Sequence, residues 1–184
     1  MRQHERGDTL IEVLVAITVL SAVIVGGLWI MNFGYSIANN AVERTQVQAT
    51  MNGQLALISY ARDAYLRANQ QPTDAGSQMW QAISAKIVNG AGNNNPHCNG
   101  TAPAPGNNSF YLNDNLASLG TASVVNYSGA AATTLAAPGA GMWVEARRAG
   151  GSIPYVDFYV KACWQAIGSA PQQEARTVMR LYVP

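Results

Sequence analysis

An apolar segment near the N-terminus constrains this chain more than any other feature of its sequence. From Val13 to Met31 there are 19 consecutive residues without a formal charge, most of them Val, Leu, Ile and Ala. A helix of that length, rising about 1.5 Å per residue, spans the roughly 30 Å hydrocarbon core of a bilayer. The sequence therefore predicts a membrane-spanning helix close to the start of the chain.

The residues in front of this segment do not form an ordinary secretory signal peptide. Residues 1–7 make a short leader without an apolar core, and its charges (Arg2, Glu5 and Arg6) are net positive. In a secretory signal, the small-residue cleavage site follows the apolar region. Here the small residue, Gly7, precedes it, so cleavage after Gly7 would leave the membrane segment on the product.

A carboxylate, Glu12, stands at the entrance of the apolar segment. An unpaired charge within a membrane helix costs about 3 kcal/mol, so this residue needs a partner. Cleavage after Gly7 would expose an α-amino group on Asp8, one helical turn away, and a neighbouring chain would offer a second amine at similar depth. A contact between Glu12 and such an amine would neutralise both charges and set the register of the two chains. The alternative is an interfacial glutamate that the dipole of the helix N-terminus stabilises.

This arrangement resembles the prepilin signal of type IV pilins and type II secretion pseudopilins. The resemblance lies in Gly7 and in the octapeptide TLIEVLVA at residues 9–16, which is most similar to PilV-type minor pilins and I-type minor pseudopilins. It implies that a prepilin peptidase cleaves between Gly7 and Asp8 and N-methylates Asp8. It also implies that Glu12, the fifth residue of the product, contacts a neighbouring subunit. Asp8 departs from the family pattern, in which the new first residue is usually Phe or Met.

Three functions are open on this basis. The resemblance implies first a minor pilin, a structural subunit of a type IV pilus (fimbrium) on the cell surface. The second is a minor pseudopilin of a type II secretion or DNA-uptake system, in a periplasmic pseudopilus. The third is a single-pass, membrane-anchored binding domain that never polymerises. The implied partners are other pilin subunits, the prepilin peptidase, the inner-membrane pilus assembly platform and, before assembly, the inner membrane, with the head domain outside the cytoplasm.

The helix is expected to continue beyond the apolar segment, because residues 32–71 contain no proline. Apolar residues there recur at steps of three and four, which predicts a helix with one buried face. That stripe consists of Val47, Met51, Leu55, Ile58, Ala61, Tyr65 and Ala68. The opposite face is expected to meet water and contains Glu43, Arg44, Gln48, Asn52, Arg62 and Arg67. The simplest structure is one helix from about Asp8 to Asn69, in which Gly26 and Gly27 mark either a place of unwinding or a close helix contact.

The remaining residues, 72–184, are predicted to form a small head. A short helix capped by Asp74 or Ser77 is expected to end at Asn89–Gly90, and loops are expected at 91–109 and 128–141. The predicted strands are Phe110–Leu112, Ala122–Tyr127, Met142–Ala146, Tyr155–Trp164 and Thr177–Val183. Apolar and polar residues alternate along the fourth, which predicts a half-buried strand, and the last three are expected to form an antiparallel meander.

The predicted fold class is therefore α+β and pilin-like: a long N-terminal helix, transmembrane in its first half, packed on a small antiparallel sheet. The expected divisions are a leader at 1–7, a transmembrane and assembly half of the helix at 8–31, an amphipathic half at 32–71 and the head at 72–184. Two cysteines, Cys98 and Cys163, lie beyond the membrane segment. They are predicted to form a disulfide if the head faces an oxidising space, the alternative being two free thiols.

The sequence indicates no catalytic, cofactor or metal site. His4 and His97 are its only histidines, and no second ligand pair accompanies His97-Cys98 at zinc-binding spacing. We find no phosphate-binding glycine motif and no nucleophile–base pair. Without residues 1–7, which hold two of the 11 basic and one of the 10 acidic side chains, 9 of each remain, so no nucleic-acid surface is expected. We expect a protein that is not an enzyme and is itself a substrate of prepilin peptidase.

Overall fold

The structure, a computed structural model, describes residues 8–90, 98, 108–113, 123–129, 135–148, 155–165 and 172–183. It divides the chain into two compact units, one ending at Ala41 and the other beginning at Val42. The first contains the N-terminal part of helix α1 (Asp8–Arg67), and the second contains the rest of α1 and the head. The fold is α+β and pilin-like, as predicted, with a long apolar N-terminal helix and a small antiparallel sheet domain. The expected divisions after residues 7, 31 and 71 stay predictions.

Helix α1 ends at Arg67, close to the predicted end at Asn69. Asn69 and Gln70 have φ angles of 50° and 62°, in the left-handed region. The N–H of Gln70 donates to the carbonyl of Tyr65 at 2.9 Å, which is how such residues satisfy the last carbonyls of a helix. Pro72 follows directly and prevents the helix from resuming.

Helix α2 (Ala75–Ser84) begins at the predicted cap. The Asp74 carboxylate accepts the Ser77 N–H at 2.7 Å, and the Ser77 hydroxyl accepts the Asp74 N–H at 3.0 Å, so both candidates form one capping box. The predicted end at Asn89–Gly90 is wrong, because residues 88–89 pair with another strand and Gly90 has a φ of 117°.

The described residues form one seven-stranded sheet. Its strands are β1 (Val88–Asn89), β2 (Phe110–Asn113), β3 (Ser123–Asn126), β4 (Ala137–Pro138), β5 (Gly141–Arg148), β6 (Tyr155–Gln165) and β7 (Gln172–Tyr182). The main order is β3-β2-β5-β6-β7, and β1 and β4 pair with β5 in parallel. The predicted antiparallel meander of the last three strands is confirmed, with Val144 opposite Val160 and Val160 opposite Thr177.

Several strand bounds differ from the prediction because backbone pairing extends beyond the predicted residues, as at Asn113 of β2 and Arg148 of β5, and β4 was not predicted. Strand β7 begins at Gln172 rather than Thr177, since Gln172 pairs with Gln165 of β6. Strand β4 lies inside the predicted loop at 128–141, where Pro138 pairs with Met142. Its turn needs a glycine: Gly139 has a φ of 81°, and an added Cβ would lie 2.6 Å from the ring of Tyr111.

The core lies between the two helices of the second unit and one face of the sheet. The predicted stripe on α1 supplies Val47, Met51, Ile58 and Ala61, which are at most 1% exposed, together with the partly buried Leu55 and Tyr65. Helix α2 contributes Trp80, whose ring lies 6.2 Å from that of Phe158 on β6. Burying this stripe holds the second half of α1 on the sheet.

Gln54 joins α1 to β2 within this core. Its Nε2 donates to the Leu112 carbonyl at 2.9 Å, and its Oε1 accepts the Leu112 N–H at 2.8 Å. Gln54 is 2% exposed and Leu112 is fully buried. One side chain therefore satisfies both backbone groups of a buried residue that water does not reach.

Helix α1 also runs alongside β7. Three side chains spaced along the helix contact successive parts of the strand: Arg44 donates to Gln173 Oε1 at 2.8 Å, Ser59 to Met179 Sδ at 3.3 Å, and Arg62 to the Tyr182 carbonyl at 3.1 Å. The helix thus holds the strand that ends the main order of the sheet.

The prediction that Glu43 faces water is wrong. Its side chain is 9% exposed, and its Oε2 accepts a hydrogen bond from Trp164 Nε1 at 3.2 Å. Trp164 is itself buried at the end of β6, so its indole N–H needs an acceptor inside the protein. Other residues assigned to that face are exposed, including Arg44, Gln48, Asn52 and Arg67.

The prediction of a half-buried β6 is also wrong, because both faces of this strand are covered. Asp157, Lys161 and Cys163, which alternate with the core residues, are 8%, 3% and 2% exposed. A second small cluster packs on this side, formed by Tyr127, Trp143 and Cys163. Polar and apolar residues still alternate, but the polar face is a second packed layer rather than a wet surface.

Candidate assembly site

Glu12 lies on α1 in a long uncharged stretch of the helix. It is exposed, and no hydrogen bond or ion pair of this residue occurs among the described residues. It is the single charged residue between Thr9 and Val42. The next acid along the helix, Glu43, already has a partner in Trp164. Glu12 is therefore the carboxylate of α1 that is placed to contact a group outside this part of the chain.

The predicted cleavage site lies at the edge of the described residues. Gly7 is outside them, whereas α1 begins at Asp8, whose side chain is also outside them. Asp8 and Glu12 are four residues apart on one helix, which places them on the same side one turn apart, about 6 Å along the axis. Cleavage, methylation of Asp8 and its contact with Glu12 stay predictions.

The surface around Glu12 is almost wholly apolar. The large apolar side chains from Leu10 to Ile37 are between 52% and 74% exposed within their unit. By length and composition, the helix contains a stretch able to cross a membrane. Continuous apolar surface of this extent is a place for lipid or for other protein, since soluble monomers rarely expose it.

Gly26 and Gly27 lie inside α1 and do not interrupt it. An added Cβ at either position would meet nothing within 4 Å, so neither glycine is required by a contact within the described chain. The two sequence-based alternatives, unwinding and close packing with another helix, both remain consistent with this position.

Residues 2–28 match the family model described as the prokaryotic N-terminal methylation motif. This is the prepilin motif of type IV pilins and pseudopilins. This motif, confined to the N-terminal part of the chain, supports a type IV pilin- or pseudopilin-like protein. Its motif implies assembly with other pilins, processing by prepilin peptidase and membrane anchoring before assembly. Comparison with curated proteins and with solved structures gave no match. The similarity to PilV-type and I-type sequences stays a prediction.

The head of this pilin-like protein contains the predicted disulfide, between Cys98 and Cys163, with 5.8 Å between the Cα atoms. Cys163 lies on β6, the central strand of the meander, and packs with Tyr127 and Trp143. The rings of Tyr127 and Trp143 are stacked, 5.2 Å between centroids. Burial raises the pKa of the Tyr127 hydroxyl above its ordinary value. The disulfide thus links Cys98 covalently to the packed cluster of Tyr127, Trp143 and Cys163.

A set of paired charges, which sequence reasoning missed, lies on the same side of the sheet. Glu145 Oε1 accepts from Lys161 Nζ at 2.9 Å and from Trp143 Nε1 at 3.1 Å. Asp157 accepts two hydrogen bonds from Arg180, at 2.6 and 2.9 Å. These bonds raise the pKa of the Arg180 guanidinium, because they favour its charged form. The signal was available in the two charged positions of β6: Asp157 lies opposite Arg180 of β7, and Lys161 reaches Glu145 of β5.

These charges form a paired layer on the second face of β6. Each acid of the layer has a basic partner, as buried charges require. Among the described residues, no group of three His, Cys, Asp or Glu side chains is placed to hold a metal ion. His4 and His97 lie outside those residues, so the absence of a metal, catalytic or cofactor site stays a prediction.

Proposed function

We propose that this chain is a minor pilin, a structural subunit of a type IV pilus that is not an enzyme. Prepilin peptidase removes residues 1–7, and the subunit enters the filament through the apolar half of α1. The observation that supports this proposal most is Glu12, an exposed carboxylate in a long uncharged stretch of helix, without a partner among the described residues. Such a charge is costly in an apolar bundle unless a neighbour neutralises it.

The proposed sequence of events follows from the charges at the helix start. Before assembly, α1 sits in the inner membrane with the head outside the cytoplasm. Cleavage after Gly7 frees the amine of Asp8, a positive charge that hydrocarbon disfavours as much as it does Glu12. A staggered neighbour brings its Glu12 to that amine, and the pair is stable where each charge alone is not. The inner-membrane assembly platform then moves the neutralised helices into the filament.

The head contributes a folded surface to the fibre. Its core fixes the second half of α1 against the sheet through the buried stripe and the Gln54 clamp on Leu112. The fibre would thus display the head together with the part of α1 from Val42 onward that packs on it.

Substitution of Glu12 in cells tests the proposal. We expect Glu12→Ala and Glu12→Gln to lower the amount of this chain in sheared surface fibres on the order of a hundredfold, the factor that corresponds to about 3 kcal/mol. The intact mass of each variant is measured first, since loss of residues 1–7 and gain of one methyl group must still occur. The matched control is Glu174→Ala, which removes an exposed acid of β7.

An unchanged fibre content for Glu12→Ala would contradict the assembly role. Recovery of the wild-type chain with a secretion or DNA-uptake apparatus instead of surface pili would identify a pseudopilin, which uses the same assembly chemistry. Recovery in neither, with the chain remaining in the membrane, would identify a membrane-anchored binding domain.

A further inference from the structure

Three large aromatic side chains lie at the end of the apolar segment that is farther from Glu12. Trp29, Phe33 and Tyr35 are 70%, 59% and 71% exposed. The rings of Trp29 and Phe33 are stacked, with 6.0 Å between centroids and 7° between planes. From Met1 to Leu28 the sequence has no aromatic residue. The aromatic side chains of this part of the helix are therefore concentrated at one level.

These rings lie on two sides of the helix rather than forming a single stripe along it. At about 100° per residue, Phe33 lies about 40° around the axis from Trp29, and Tyr35 about 240°. A helix that packs against one partner helix presents its contact residues at steps of three and four on a single face. Aromatic rings on different sides of the helix within about 9 Å of axial rise suit surroundings that are similar all round, such as the boundary of a bilayer.

The height of the rings matches the thickness of a membrane. The rise of the helix from Glu12 is about 26 Å to Trp29, about 32 Å to Phe33 and about 35 Å to Tyr35, so the rings lie around the roughly 30 Å limit of a hydrocarbon core. Trp and Tyr are enriched where hydrocarbon meets the headgroups, because their rings are apolar and their N–H and O–H groups are polar. With the rings at one boundary, Glu12 falls at the other.

We propose that Trp29, Phe33 and Tyr35 form an aromatic belt that binds the boundary between headgroups and acyl chains on the outer side of the membrane. The belt fixes the depth of α1 and thereby holds Glu12 at the opposite boundary, beside the cleavage site. This proposal rests on one part of the proposed function, the membrane-anchored state of the chain, and does not depend on entry into the filament.

Depth-dependent fluorescence quenching tests the belt in the full-length chain. The protein is reconstituted into phosphatidylcholine vesicles whose acyl chains are brominated either near the headgroup or near the terminal methyl. The other tryptophans (Trp80, Trp143 and Trp164) are at most 3% exposed in the head, so the difference between wild type and Trp29→Phe isolates Trp29. The matched control is Leu20→Trp in the Trp29→Phe background, which moves the indole to the middle of the apolar segment.

We expect the shallow label to quench the Trp29 signal about twofold or more over the deep label, and the Leu20→Trp signal to show the reverse order. In the Leu20→Trp background, replacing the three belt residues by alanine should bring the two labels closer to equal quenching, because the helix is no longer held at one depth. An unchanged ratio in that variant would contradict the role of the belt in setting depth.

Three other results would overturn the proposal in distinguishable ways. Stronger quenching of Trp29 by the deep label would place the rings at the wrong level. Quenching of Leu20→Trp but not of Trp29 would show that another protein surface, such as a second copy of the helix, covers the rings. If neither brominated lipid quenches the tryptophan at position 29 or at position 20, α1 is not a membrane anchor. Loss of fibre assembly alone would contradict the proposed function but not the belt.

Discussion

Replacing Gln54 by leucine is expected to destabilise the head more than its small change in volume suggests. The substitution keeps the site filled but removes the donor and the acceptor that serve the carbonyl and N–H of Leu112. Both backbone groups then remain inside the core, because Leu112 is fully buried. The leucine side chain offers neither a donor nor an acceptor, so the carbonyl and the N–H of Leu112 both lose their partner.

The size of the effect follows from the two lost hydrogen bonds. A buried polar group left without a partner costs about 1–3 kcal/mol, so the pair should cost about 3 kcal/mol after some relaxation of β2. For a domain of this size, that loss lowers the melting temperature by about 10 °C. Thermal unfolding of the full-length chain in detergent, followed by the near-ultraviolet circular dichroism of the buried tryptophans, measures it.

Gln48→Leu is the matched control, since Gln48 lies on the exposed face of the same helix. It should change the free energy of unfolding by no more than about 0.5 kcal/mol. Equal effects of the two substitutions would refute the reasoning, because they would mean that the clamp on Leu112 adds nothing to the stability of the head.

Two further predictions concern the disulfide and the cap of α2. The double variant Cys98→Ser, Cys163→Ser should lower the free energy of unfolding by about 4 kcal/mol in the chain-entropy model, checked by denaturant titration against oxidised wild type, and reduced wild type should be destabilised to a similar extent. Non-reducing peptide mapping should show the two cysteines linked, and complete alkylation without reductant would contradict the pairing. The hydrogen bond from the Ser77 N–H lowers the pKa of Asp74 below its ordinary value of 3.8. The charged cap therefore stabilises α2 fully above about pH 4, and this stabilisation is lost as the pH falls through the lowered pKa. Below about pH 4 the melting temperature of wild type should therefore fall more than that of Asp74→Asn, which keeps a capping side chain that does not titrate, and identical pH profiles would count against the cap.

The sequence predicts the helices and the meander well because their signals are local. Steps of three and four identify the buried stripe of α1, and proline and left-handed residues end that helix near the expected place. The prepilin motif is local as well, since its residues are contiguous. Each of these features depends on neighbours along the chain and not on what the fold later brings together.

The features that sequence reasoning missed depend on distant residues. Glu43 looks like a solvated acid until Trp164, 121 residues away, is placed beside it. Strand β6 has the alternation of a half-buried strand, but Trp143 and Tyr127 cover its polar face and Glu145 pairs with Lys161. Periodicity reports which side chains share a face, whereas only the tertiary structure shows whether that face is covered.

The double coverage of β6 has a consequence for how sequences of this kind can vary. A substitution on either face of β6 enters a packed layer, whether beside Phe158 in the core or beside Lys161 in the second layer. Strand β7 differs, since every second residue from Glu174 to Tyr182 is exposed. Related chains should therefore keep their β6 residues nearly fixed and diversify on the outer positions of β7, so that an altered outer surface can evolve without loss of the fold.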